Sequence, residues 1–346
     1  MNHIAIDLSL SKSQICVRSA DGTILDERAW LTRNLPLYLA KCGPSRVVLE
    51  SSCEAFAVAD IARKHGHEPV VVPSLLVRSL GVGARGVKND RKDAQAISSA
   101  SCQMQKLPSV HIPSLSARAI KAQCTSREAI VTTRTKLVNT VRSWLRTQLL
   151  ALTKGSPETF PARVRELMLK RRDGLPEHVE RLLQVIEATN EQLKAADKEL
   201  GRIANENLSI KQLMTVPGVG AVTATRFYAA VDEVGRFDDA HELESYFGLT
   251  PGENVTGFKG HRTGLTKAGQ IKVRWTLVQS AWTAMRTRPN DPMVIWANQV
   301  AARRRRHIAA VALARKMAGI LYAMWRDGKP YDPTRGAAVR PATTTP

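Results

Sequence analysis

Four carboxylates in the first hundred residues have the types and spacing to hold divalent cations. Asp7 lies within the apolar stretch Ile4–Leu8, where a carboxylate is costly unless it is paired or binds a cation. Glu50 ends the run Arg46-Val47-Val48-Leu49-Glu50. Asp90 and Asp93, in NDRKD, are three apart, so on a helix they share a face. Oxygen donors of this kind suit Mg²⁺ or Mn²⁺, hard cations that keep waters and bind phosphate oxygens. Two such ions can serve both the attacking and the leaving oxygen in phosphodiester cleavage. Each acid also has an ordinary alternative: Asp90 and Asp93 as first-turn helix acids, Asp7 as a turn cap, Glu50 as the partner of Arg46 or Arg63.

The elements that must position these acids follow from pattern. His3–Leu8, Gln14–Arg18 and Thr23–Trp30 read as three strands with short connections. A short helix is expected near Leu37–Lys41 behind Pro36. Arg46–Glu50 and Val70–Val72 read as buried strands, with a helix over Glu54–Lys64 between them that ends at Gly66. Asn89 begins a further helix. Three hairpin strands followed by alternating helix and strand is the order of an α/β RNase H-like N-terminal domain, expected over residues 1–110.

Beyond it, residues 111–208 read as long helices. Leu175, Val179, Leu182, Ile186, Thr189, Leu193, Ala196, Leu200 and Ile203 repeat with 4,3 spacing, a coiled-coil signal whose partner is another subunit or the preceding long helix. Residues 209–328 form a mainly α C-terminal domain opened by a helix-hairpin-helix around Pro217-Gly218-Val219-Gly220. Gly218 and Gly220 would let the backbone approach a phosphate. A loop is expected from Pro251 to about Thr266, then helices over Lys267–Met285 and Ala301–Trp325, and a flexible tail over 329–346.

Charge points to a polyanionic partner. The chain carries 51 Lys and Arg against 31 Asp and Glu, a net +20, which repels itself unless nucleic acid is present. Lys259, Arg262, Lys267, Lys272 and Arg274 are candidate phosphate contacts, with Phe258 and His261 interleaved. Arg303, Arg304, Arg305 and Arg306 would follow a backbone without reading bases. Five unpatterned cysteines argue against a disulfide framework or zinc site. Asp7 falls where a signal peptide would need an apolar core, so none is expected, and no run reaches the length of a membrane span. A cytoplasmic protein with no membrane partner is expected.

Asp7 in IAIDLSLSK, Glu50 in VVLESS, and Asp90 with Asp93 in KNDRKDAQAI resemble the DEDD tetrad of the Piv-invertase-like insertion-sequence transposases. VPGVG at Val216–Gly220, FGLTPGE at Phe247–Glu253 and TKAG at Thr266–Gly269 continue the resemblance in the same order along nearly the whole chain. It implies an RuvC-like catalytic domain, a long coiled coil and a C-terminal transposase domain whose serine attacks DNA to give a covalent intermediate. It implies homodimers that join into homotetramers, donor and target DNA as partners, and a noncoding bridge RNA as guide. The serine position is Thr256 here. Three readings stand: Thr256 is the nucleophile, another group or water attacks, or the protein is disabled. The rivals to transposition are a hydrolytic RuvC-like nuclease or resolvase and an inactive nucleic-acid-binding protein.

Overall fold

The computed structural model describes residues 1–79, 90–169, 171, 174–256 and 259–334, with the backbone alone at 77–79, 90, 253–256 and 259–262. The chain divides into two compact units, Met1–Pro113 and Ser114–Pro346.

The first unit runs β1 (Asn2–Asp7), β2 (Lys12–Arg18), β3 (Ile24–Leu31), α1 (Leu35–Leu39), β4 (Ser45–Glu50), α2 (Ala55–Lys64), β5 (Glu68–Val72), α3 (Ser74–Ser79) and α4 (Asp90–Gln103). The sheet order is β3-β2-β1-β4-β5. The first three strands are antiparallel neighbours, while β4 and β5 lie parallel to β1. Alternation sorts the side chains of each central strand to two faces. Ile4, Ile6, Val47 and Leu49 pack with Leu35, Leu39, Val58 and Ala59 on one side. Ala5, Val48 and Val72 pack with Ile97 and Ala100 of α4 on the other. Gly66, at φ +79°, turns the chain out of α2, a left-handed position that suits glycine.

The second unit opens with α5 (Leu115–Thr147), capped by Ser114, whose Oγ accepts from Ala117 N at 3.1 Å. There follow α6 (Phe160–Leu169), α7 (Glu177–Glu206), α8 (Leu208–Leu213), α9 (Ala221–Val231) and α10 (Ala240–Tyr246). The hairpin of β6 (Pro251–Thr256) and β7 (Lys259–Leu265) comes next, then α11 (Ile271–Thr287), α12 (Pro292–Arg303) and α13 (Arg306–Asp327). The main core gathers α8 to α13, with Phe227, Phe247, Leu277, Met293 and Leu313 fully buried. A separate core joins α5, α6 and α7 through Val141, Leu145, Phe160, Val164, Leu183 and Ile186.

Several elements differ from the sequence reading. The long helix α7 folds back on α5 of the same chain, so the coiled-coil seam has an intrachain partner. Its buried positions are Val179, Leu183, Ile186, Leu193, Leu200 and Ala204. The Val179–Ile186–Leu193–Leu200 row is the expected one, while Leu183 and Ala204 replace Leu182 and Ile203. α6 was unforeseen: Pro161 stands in its first turn, where proline starts a helix rather than breaking one. The segment expected as a loop from Pro251 is a two-stranded hairpin. The expected helix Ala301–Trp325 is broken at Arg304 and Arg305, so the arginine run lies at the α12–α13 junction. Lys329–Thr334, expected in a flexible tail, begins docked: Tyr331 Oη donates to Asp291 at 2.9 Å. Contrary to expectation, α13 is long and apolar enough to cross a membrane, but half of its apolar window is buried within the unit, as a core helix requires.

Candidate active site

β1 and β4 run parallel in a register that pairs Ala5 with Val48 and Ile6 with Leu49, so Asp7 and Glu50 end the two strands side by side. By alternation both belong to the face of Ala5 and Val48, the face that α4 covers. α4 runs back over β1. His3 Nδ1 lies 2.7 Å from Ser101 Oγ, and Ser98 Oγ donates to Cys16 Sγ at 3.2 Å, opposite Ala5. From His3 to Asp7 is four strand residues, about 13 Å. Back from Ser101 by eight helical residues, about 12 Å, stands Asp93, only 4 % exposed. The helix therefore carries Asp93 to the level of Asp7 and Glu50.

A contact that the sequence did not announce holds that helix. Glu27 on β3 accepts from Arg91 Nε and from Gln95 Nε2, both at 2.6 Å. These two residues bracket Asp93. The hydrogen bond from Arg91 holds the Glu27 carboxyl below the usual carboxylate range. The only sequence signal for Glu27 is its place on the third strand, two steps of the sheet from Ala5.

Among the described residues, no three His, Cys, Asp or Glu side chains are already gathered as a metal cage. The side chain of Asp90, first residue of α4, lies outside the described residues. The register sets Asp7 beside Glu50, and the helix carries Asp93 to their level without gathering the three into a set of ligands. The donor set is all carboxylate oxygen, which fits Mg²⁺ or Mn²⁺ in kind.

In the second unit, Thr256 ends β6 and pairs in register with Lys259, with Asn254 opposite His261 and Glu253 opposite Arg262. Thr256 thus stands at the hairpin's turn; its side chain and those of Lys259, His261 and Arg262 lie outside the described residues, as does Phe258 entirely. The hairpin's root is described in full. Thr266 N donates to Thr250 O at 3.0 Å. Gly248 and Gly269 adopt φ +64° and +67°, and a Cβ at Gly269 would lie 1.9 Å from Tyr246 O. FGLTPGE and TKAG are therefore two turns pressed backbone to backbone. Arg274 fastens them, its Nη1 donating to Phe247 O at 2.8 Å and Ala268 O at 2.9 Å.

Other expected nucleic-acid contacts are also explained locally. Gly218, at φ +82°, faces α11, where a Cβ would meet Ser280 O at 2.2 Å. That packing accounts for the glycine without a phosphate. Gly220 is the N-cap of α9 with open space at its α-carbon. Lys272 pairs with Glu128. Lys267 holds the left-handed φ of +55° in the TKAG turn. Arg303, Arg304, Arg305 and Arg306 are exposed, with Arg306 5.8 Å from the Trp282 ring.

Two families match this chain. The DEDD transposase family of the IS110 type matches residues 4–149, and the transposase family IS116/IS110/IS902 matches residues 210–293. The chain is 29% identical to the transposase for insertion sequence element IS1111A of Coxiella burnetii, over 70% of this chain and 68% of that one. It is 26% identical to the transposase for IS1328 of Yersinia enterocolitica, over 94% and 97%. It is also 26% identical to a probable family 20 transposase of Pseudomonas aeruginosa, over 96% and 100%. The chain belongs to the IS110-type family of DEDD transposases, enzymes of DNA recombination.

Proposed function

We propose that this transposase cuts and rejoins DNA through a covalent protein–DNA intermediate on an RNase H-like carboxylate edge. The observation that carries this reading is the strand register that ends Asp7 beside Glu50, beneath the helix that brings Asp93 to their level. The strand order, three antiparallel and two parallel, supports the RNase H-like assignment.

Asp7, Glu50, Asp90 and Asp93 would hold Mg²⁺ or Mn²⁺, which when bound supplies positive charge against the scissile phosphate. Thr256 supplies the nucleophile. Its Oγ1 gives up its proton and forms a bond to phosphorus, the backbone P–O bond breaks, and the sugar oxygen that leaves takes up a proton in turn. The link conserves the phosphodiester, so rejoining requires no nucleotide cofactor. The hairpin presents Thr256 at its turn, and its glycine-locked root fixes the direction of approach. The methyl of threonine narrows that approach relative to serine.

By family resemblance, the acids of one subunit and Thr256 of another complete the site within a dimer that joins into a tetramer. The protein acts in the cytoplasm on donor and target DNA with a noncoding RNA as guide. The surplus of positive charge supports nucleic-acid binding. Exposed Lys267 and Arg303–Arg306, with Lys259, Arg262 and the open N-terminus of α9 at Gly220, are the proposed phosphate contacts.

The test is a denaturing gel of purified protein with Mg²⁺ and element-end DNA. A protein–DNA adduct is expected with the native chain and with Thr256→Ser, and none with Thr256→Ala. Free 5′-phosphate or 3′-hydroxyl ends without any adduct would establish the hydrolytic nuclease instead.

A further inference from the structure

The six tryptophans of this chain are not used alike. Trp30, Trp144 and Trp325 pack on Tyr38, His178 and Tyr228. Trp282 and Trp296 lie under Arg306 and Lys316. Trp275 is 56 % exposed and has no aromatic or cation–π contact among the described residues. It stands on the second turn of α11, one turn beyond exposed Ile271, and both line a cleft of about 810 Å³ between α11 and α5.

The cleft's exposed lining is mostly apolar in area, with cations set along it. Arg127, Lys136, Arg226 and Lys272 line it against one acid, Glu128. Burial alone would raise the Glu128 carboxyl, but the hydrogen bond from Lys272 and the charge of Arg226 outweigh it and hold the group below its ordinary range. That acid is thus ionised and already neutralised from two sides, Arg226 Nη2 at 3.0 Å and Lys272. The α5 wall offers Thr132, Thr135 and Asn139 around Lys136. Val131 lies among them on the same wall. A nucleic-acid strand requires cations along its backbone and a ring face for a base, which Lys136 and Trp275 offer.

We propose that this cleft seats a single strand of DNA, with a base stacked on Trp275 and the backbone along Lys136. The proposal rests on the reading of the chain as a DNA strand-transfer enzyme and extends it to a seat nothing else assigns. The strand is DNA because α11 follows the Thr256 hairpin in the chain, beginning six residues after β7 ends. The occupant is the strand that runs on from the cut, held unpaired by stacking. Trp275 is a positioning residue and takes no part in bond making.

The experiment measures fluorescence anisotropy of a labelled single-stranded DNA oligonucleotide on the full chain without divalent metal. Absence of metal separates it from the chemistry: a failed covalent step leaves this readout unchanged. Trp275→Ala is expected to weaken binding about ten- to a hundredfold, and Trp275→Phe to stay within about threefold. Sedimentation of the same samples is expected to show one oligomeric state for all three proteins. Native affinity in Trp275→Ala would overturn the proposal. So would a loss that tracks a change of oligomeric state, which assigns the cleft to a second copy, or a loss confined to RNA of the same sequence.

Discussion

The acidic edge of the first unit and the threonine hairpin of the second are built by opposite means. Asp7 and Glu50 end neighbouring strands of a five-stranded sheet, so backbone pairing along β1 and β4 sets their spacing. Thr256 stands at the turn of an isolated two-stranded hairpin, which by itself is at best marginally stable in water. Its direction is set at the root, where Gly248, Gly269 and Arg274 bind two turns together. On the proposed reading, the metal-holding acids lie on a sheet and the attacking hydroxyl lies on an arm. The difference also separates two kinds of damage, to the reacting groups and to the scaffold.

The largest effect is expected at the sheet. Asp7→Ala or Asp93→Ala should abolish excision by the purified protein, while affinity for DNA without metal stays within about threefold, since phosphate contacts and not these acids supply that affinity. Undiminished excision by either variant would remove the acids from the site. At the arm the expected damage is structural. Gly269→Ala places a methyl against Tyr246 O at a left-handed φ and should cost roughly 2–4 kcal/mol, read as a lower urea midpoint. A native midpoint would mean that the root is not a fixed joint. The smallest effect sharpens the sheet side. Arg91 holds the Glu27 carboxyl below the usual range, so its tether on α4 is fully present above the ordinary carboxylate pKa and lost as pH falls through the lowered value. The difference in urea midpoint between the native chain and Glu27→Gln should therefore close as pH falls; a gap that stays constant would show that the ionised carboxylate is not the tether.

The same contrast governs what could be read without coordinates. β1, β4 and β5 are short apolar runs bounded by turn residues, and their order alone set Asp7 near Glu50. The hairpin PGENVTGFKGHRTGL has four glycines and no alternation of apolar residues, so it read as a loop. Arg274 read as a phosphate contact because composition shows a cation but not the two carbonyls it meets. The arginine run read as helix interior because no glycine or proline marks the break between Arg303 and Arg306. The seam of α7 shifted by one position at Leu183, where α6 as well as α5 packs on that helix, and at Ala204, where α8 and α9 do.

The paired long helices carry one further consequence. α7 spans 30 residues, about 45 Å. Its far end belongs to the core with Phe160, and Ala204 at its near end belongs to the main core. Between them the pair is joined by buried Leu193 and Leu200 and by polar contacts such as Arg134 with Asn190 at 3.1 Å and the ion pair of Arg127 with Asp197. The span between the cores therefore leans on few apolar contacts, and amide exchange is expected to be faster there than at either end.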